Sequence, residues 1–304
     1  MHQYKLENIK KLPNVGNKPI WSALMNNEPI IIKKYECYYL DSTIIEKNNH
    51  VAKEITNEVN MLKYIEKTVR FPDGIKVPKS LSACLENPIS NKKEIEAFHC
   101  IEKLPGQDLF DWMETNLKLQ YSEKQQLLRK IVEQLALAIY TLHKYNIIHG
   151  DIKLDNTMID VLPTGEINLG LIDFAFSTLV NSSNLIQTNK KCAKEYKNFS
   201  GTLDYISPEL SLQIVPYDLF GNDVWCFAMT VYSLYTGYFI DRPYDTVKEQ
   251  VDKCIEYCDY SFKRDELPLD IYKLLRLIFI EEDKRIGMEE IIKYLGIDLM
   301  DIDL

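Results

Sequence analysis

The 304-residue chain contains no apolar run approaching the ~20 residues that a membrane helix requires. It has no run of Lys and Arg long enough to track a phosphate backbone, and its formal net charge is −9. A membrane-spanning role therefore has no support. A nucleic-acid partner has little, and the charge favours a basic protein partner instead. The seven cysteines, Cys37, Cys84, Cys100, Cys192, Cys226, Cys254 and Cys258, include no C-x-x-C pair and fall far short of a disulfide framework, which favours a reducing compartment. Cys254 and Cys258 lie one helical turn apart, but no second His/Cys pair completes a metal site, so packing is their expected role. The opening MHQYKLENIKK lacks the apolar stretch of a signal peptide and has His2 where myristoylation needs Gly; the closing DLMDIDL has no prenylation cysteine. A cytoplasmic location is expected, that of a host cell included, and with it a monomer.

What is present divides in two. With 46 % hydrophobic residues the chain has enough to build a sizeable core. IWSAL and IIIKKYE read as strands joined by the turn signal NNEP, so residues 1–35 are expected to be strand-rich. Residues 51–66 change to helical spacing, with Val51, Ile55, Val59, Leu62 and Ile65 on one stripe. After Gly106 the pattern is mainly helical: LFDWMETNL, the long KQQLLRKIVEQLALAIYTLHKY, DVWCFAMTVYSLYTG, LDIYKLLRLIFI and MEEIIKYLGI. Two strand-like pieces, TMIDVL and NLGLIDF, interrupt it. No internal repeat or low-complexity linker occurs, so the shift near residue 104 is the one expected boundary, and the junction of the halves is the expected ligand site.

The strongest chemical signal is IIHGDIKLDN at 147–156, which follows a long amphipathic helix and precedes an apolar strand. It puts Asp151, Lys153 and Asn156 on one loop. Phosphoryl transfer needs such a set: an acceptor for a hydroxyl proton, a cation near the moving phosphoryl and an oxygen ligand for magnesium. The plain alternative is a polar turn between helix and strand. LGLIDF at 169–174 weakens that alternative, because it ends an aliphatic strand in a second carboxylate, Asp173, which with Asn156 makes an oxygen-only pair suited to magnesium on a triphosphate.

These two segments resemble the catalytic-loop and D-F-G elements of the eukaryotic protein kinase family, here of serine/threonine type. GTLDYISPE at 201–209 resembles the end of that family's activation segment, and DVWCFA, opening at Asp223, resembles the helix that follows it. DKRI at 283–286 supplies Arg285, which the resemblance pairs with Glu209 in a partly buried salt bridge. IIIKK at 30–34 resembles the V-A-I-K strand, making Lys33 the candidate for the α- and β-phosphates of ATP; Lys34 is an equally good chemical candidate, since strand register decides between them. The lysine's partner is Glu58, or Glu54 one turn earlier. FHCIEKLPGQDLFD at 98–111 resembles the hinge, with Ile101 gating a back pocket, Glu102 to Leu104 lining the adenine edge through backbone groups, and Asp108 on the ribose hydroxyls.

The resemblance runs from about residue 12 to about 296. It implies an α+β, two-lobed fold: a small antiparallel-sheet N-lobe with one main helix at about 1–103 and a larger helical C-lobe at about 104–304, together one kinase domain with ATP and Mg2+ as its requirements. It also implies roles. Asp151 accepts or orients the substrate hydroxyl, Lys153 neutralises the phosphoryl, Thr202 steadies both, and Asn156 and Asp173 hold magnesium. Lys153 and an open, extended GTLDYISPE segment argue for a protein substrate over the small molecules phosphorylated by H-G-D phosphotransferases, and Asp155 is a candidate for preferring a basic residue.

The sequence also departs from the family. Where a glycine-rich loop would stand, KLPNVGNK offers only Val15 and Gly16, so the phosphate cradle must be reshaped. That keeps a pseudokinase, a scaffold with a poor nucleotide site, as the rival reading. Gly150 replaces the Arg that reads a phosphorylated activation segment, which implies activity without such phosphorylation. Ala175 replaces the Gly of D-F-G, and Ser207 the Ala of A-P-E. Ser182, Ser183 and Ser200 are candidate autophosphorylation sites.

Overall fold

The computed structural model describes residues 6–13, 19–35, 44–86, 95–116, 121–180, 202–214, 218–241 and 245–299. It divides into two compact units, one of residues 1–68, 77–105 and 173–176, the other of 69–76, 106–172 and 177–304. After Pro105 the chain stays in the second unit except at residues 173–176. Two short pieces change sides, for physical reasons given below.

The first unit is built on β1 (Leu6–Lys11), β2 (Ile20–Met25), β3 (Glu28–Tyr35), β5 (Ser80–Glu86) and β6 (Ile95–Glu102), in the order β1-β2-β3-β6-β5, all neighbours antiparallel. Asn26 and Asn27 make the β2–β3 turn with φ of 54° and 69°, the left-handed pair that a two-residue hairpin demands and that Asn tolerates. Alternation then sorts the side chains. Ile30 and Ile32 face a cluster with Ala23, Met25, Phe98 and Cys100, while Ile31 and Lys33 point to the opposite face. The helix α1 (Ile44–Thr68) extends beyond the expected 51–66 at both ends. Its buried stripe is Ile55, Glu58, Met61, Leu62 and Ile65, with Val59 only half-buried, so a carboxylate stands where the apolar spacing alone put an aliphatic. The Phe174–Phe176 turn belongs here because it packs on α1, where Asn57 Nδ2 donates to Ala175 O at 2.9 Å.

The second unit begins with β4 (Ile75–Lys76), which joins it by pairing with β10 (Ile167–Leu171) in the order β4-β10-β9-β7; β7 is Gln107–Asp108 and β9 is Thr157–Val161. β8 (Ile147–Ile148) pairs with β11 (Thr178–Leu179). Around them lie α2 (Leu109–Thr115), α3 (Tyr121–Lys144), α4 (Pro208–Ser211), α5 (Leu219–Thr236), α6 (Val247–Lys263), α7 (Leu269–Ile278) and α8 (Met288–Leu295). α5 is apolar nearly all round and is accordingly the core helix; Asp218 caps its start by accepting from Phe220 N, and Gly237, at φ 73°, closes it. Cys254 and Cys258 are buried on α6, where burial raises the Cys258 thiol well above its ordinary range. Among the described residues no helix is long and apolar enough to cross a membrane.

A charge network closes α4 onto α5. Arg285 Nη2 lies 3.0 and 3.2 Å from the two oxygens of Glu209, Nε donates to Ile278 O, Nη1 to Gly221 O, and the guanidinium sits 4.8 Å from the Trp225 ring centre. The side chains are 1 % and 7 % exposed, so the pair is buried rather than partly buried as expected. Burial is what gives it weight: losing one partner of a buried pair costs about 3–5 kcal/mol, against 0–1 at a surface. Arg285→Ala should therefore lower unfolding free energy by about 3–5 kcal/mol in a denaturant titration. A change below about 1 kcal/mol would place the pair in the surface class.

Candidate active site

In the first unit the sheet register puts Lys33 and Lys34 on opposite faces. Lys33 pairs across strands with His99, so both side chains rise from the same face of β3 and β6, the face that α1 covers with Glu58. Lys33 Nζ lies 2.6 Å from Glu58 Oε1 and 3.0 Å from Asp173 Oδ1. Lys34 is one residue out of phase with this face. Burial pulls the Lys33 ammonium pKa down, but Asp173 and Glu58 outweigh it and hold the group above its ordinary value. For Glu58 burial pushes upward, and Lys33 with the His99 hydrogen bond overcomes it, keeping the carboxyl well below the usual range. Both directions keep the pair ionised through neutral pH. Glu54 lies on a turn of α1 whose side chains are outside the described residues. Asp173 adopts φ 65°, a left-handed conformation that Asp tolerates better than most residues. Ala175 in place of Gly thus leaves the neighbouring carboxylate turned onto Lys33.

In the second unit the 149–156 loop carries a second network. Asn156 Nδ2 donates to Asp151 Oδ2 at 2.7 Å and to Asp151 O at 2.9 Å. Lys153 Nζ lies 3.1 Å from Asp151 Oδ2 and donates to Thr202 Oγ1 at 2.6 Å, while Thr202 Oγ1 donates to Asp151 Oδ1 at 3.3 Å. Both oxygens of a nearly buried carboxylate are therefore held, and Lys153 and Thr202 are held with it. The loop itself hangs on Asp223 at the start of α5. This wholly buried carboxylate accepts from His149 N at 2.8 Å and Gly150 N at 2.9 Å, with His143 Nε2 at 3.1 Å. Gly150, at φ 82°, presents its N–H there at no steric cost. His149 Nδ1 accepts from Asp151 N, so its Nε2–H donates to Ile172 O, tying the loop to the residue before Asp173.

Other expected residues divide differently. Glu102 and Leu104 belong to the first unit and Asp108 to the second. The N–H groups of Glu102 and Lys103 are already bonded, to Lys79 O and Pro29 O. Asp108 caps α2 by accepting from Asp111 N at 2.8 Å. Burial raises its carboxyl pKa against that bond. Leu203–Tyr205 form a turn, with Tyr205 N donating to Thr202 O, instead of the open extended run expected; Ser207 caps α4. Val15, Gly16, Ser182, Ser183 and Ser200 lie outside the described residues. Sequence reasoning missed His99, Ser80, Asn57 and the anchoring part played by Asp223. A histidine in the apolar run AFHCIE was the only signal of the first.

The protein kinase domain family matches residues 26–295. The chain is 28 % identical over 251 residues to the CBL-interacting serine/threonine-protein kinase 16 of Arabidopsis thaliana, covering 81 % of this chain and 48 % of that protein. It is 30 % identical over 190 residues to the serine/threonine-protein kinase ppk6 of Schizosaccharomyces pombe, covering 62 % and 21 %. To the probable serine/threonine-protein kinase KIN1 homolog of Enterocytozoon bieneusi it is 26 % identical over 247 residues, covering 78 % and 38 %. The chain thus spans less than half the length of these relatives. With the match covering most of the chain and both charge networks in the matched span, the protein belongs to the eukaryotic-type serine/threonine protein kinase family.

Proposed function

We propose that the chain is an active kinase that transfers the γ-phosphoryl of Mg·ATP to a serine or threonine hydroxyl of a protein. The observation that carries this reading is the Asp151–Lys153–Asn156–Thr202 network, in which a carboxylate is fixed on both oxygens while a lysine is held beside it. Asp151 orients the hydroxyl and takes its proton, a role worth ~10²–10⁴ in rate. Lys153 neutralises the charge on the phosphoryl oxygens, and Thr202 keeps the two side chains in register. Lys33, held by Glu58, takes the α- and β-phosphates. Glu102 to Leu104 would line the adenine edge through backbone groups, Glu102 and Lys103 only as acceptors because their N–H groups are spent; Asp108 would use its second oxygen for the ribose. Val15 and Gly16 complete the nucleotide side.

The residues fit magnesium. Asn156 spends its amide N–H groups on Asp151, leaving its carbonyl oxygen as donor, and Asp173 gives one oxygen to Lys33 and keeps the other. A hard oxygen of either kind suits this ion, which when bound would neutralise phosphate charge. A basic substrate fits the net charge of −9 and the half-buried Asp155. The rival, a pseudokinase, rests on the single glycine of KLPNVGNK. Against it stands the presence in the sequence of Lys33, Asp151, Asn156 and Asp173, since a scaffold has no physical need for all four.

Labelled γ-phosphate transfer onto a generic basic protein and onto the chain itself decides between the two. Wild type should label serine or threonine, Asp151→Asn should lose about 10²–10⁴ in rate, and Asp173→Asn should be silent. A folded wild type as silent as both variants would establish the pseudokinase. Gly150 has no side chain to read a phosphorylated segment, so phosphatase treatment should leave the rate unchanged; abolished turnover would show that another group does that reading.

A further inference from the structure

We propose that His99 is a positioning residue for Lys33, acting through Glu58; the inference rests on the kinase reading above and adds a residue to it. β6 places His99 directly across from Lys33, and both meet Glu58 from the same sheet face. His99 Nδ1 lies 2.9 Å from Glu58 Oε2, while Lys33 Nζ holds Oε1. An ionised carboxylate only accepts, so Nδ1 carries the proton, and the other ring nitrogen faces Ser80 Oγ at 3.0 Å. Ser80 thus fixes the ring, the ring fixes one carboxylate oxygen, and the carboxylate fixes the lysine. His99 and Glu58 are both wholly buried, where a hydrogen bond to a charge is strong and an unmet one is costly.

Held by Lys33 alone, Glu58 could swing about its last side-chain bond and carry the ammonium with it. Held on both oxygens, it cannot turn without breaking two charge-assisted bonds. The Asn57–Ala175 bond fixes the neighbouring turn of α1 in the same way. Ser80, His99 and Glu58 line up as a relay does in hydrolases, but here the other carboxylate oxygen is taken by Lys33, so the chain of bonds ends on the lysine. The device matters in this chain because KLPNVGNK has one glycine where the family's phosphate loop has several, which would leave more of the phosphates' placement to Lys33.

The test compares His99→Phe, His99→Gln and His99→Asn. The Asn amide nitrogen can reproduce Nδ1, whereas the Gln amide reaches the position of Nε2 and Phe bonds to neither partner. Calorimetric affinity for Mg·ATP should fall about ten-fold or more in the Phe and Gln proteins, the loss of one hydrogen bond to a charge, and be recovered largely in the Asn protein. In parallel, amine footprinting by reductive methylation without nucleotide should label Lys33 faster in the Phe and Gln proteins than in wild type or Asn. Equal affinity and labelling in all three variants and wild type would overturn the proposal. So would an Asn protein as impaired as the Phe protein, since His99 would then be a packing residue. If wild type bound no Mg·ATP the kinase reading would fall, and the footprint, which needs no nucleotide, would still decide the positioning claim. Should the Phe protein not fold, the Gln–Asn comparison carries the same contrast.

Discussion

Taking a carboxylate out of water costs several kcal/mol unless groups inside the protein replace what water gave it. Glu58, Asp151, Glu209 and Asp223 are all buried, and each is met by a different answer to that demand. Glu58 has a lysine and a histidine, Asp151 a lysine, an amide and a hydroxyl, Glu209 a guanidinium, and Asp223 two backbone N–H groups with a histidine. Apart from Lys153 and Asn156, which share a loop with Asp151, these partners come from distant parts of the sequence. Satisfying each carboxylate therefore fixes strands, loops and helices that local propensity would leave independent.

The same bonds divide the labour. In the first unit, opposing effects of burial and charge leave Lys33 and Glu58 ionised, so a fixed positive charge stands on the sheet face. In the second, the loop conformation is set from behind by Asp223, and its front presents Asp151 with its lysine. Preorganisation of this kind is what electrostatic catalysis requires, because a dipole or charge already in place needs no reorganisation as the transition state forms. Two backbone choices make it possible: Gly150 at φ 82° lets its N–H reach Asp223, and Asp173 at φ 65° turns its carboxylate onto Lys33.

Much of this was legible in the sequence. The hairpin, the long α3 and α5, and the spacing from Asp151 through Asn156 to Asp173 follow from period, turn chemistry and residue type. What escaped was whatever depended on pairing across strands. Lys33 and Lys34 are equivalent until a register is known, because one residue of slip exchanges the faces. His99 reads as one polar residue in an apolar strand until Lys33 is found opposite it and Glu58 above. Glu58 was named through the family resemblance, but its place on the buried stripe of α1 was not, since apolar spacing alone assigned that stripe to Val59. The turn at Leu203–Tyr205 was missed for a different reason: its bond to Thr202 O is backbone chemistry that carries no side-chain signature.

The claim on which the account rests is that the Lys33 network binds nucleotide and the Asp151 network acts on the bound phosphoryl. Equilibrium affinity for Mg·ATP, measured on Lys33→Met and Asp151→Asn beside wild type, tests it most directly. The account predicts that Lys33→Met weakens binding about ten-fold or more, while Asp151→Asn binds close to wild type. An Asp151→Asn protein weakened as much as Lys33→Met, or a Lys33→Met protein that binds like wild type, would contradict that division.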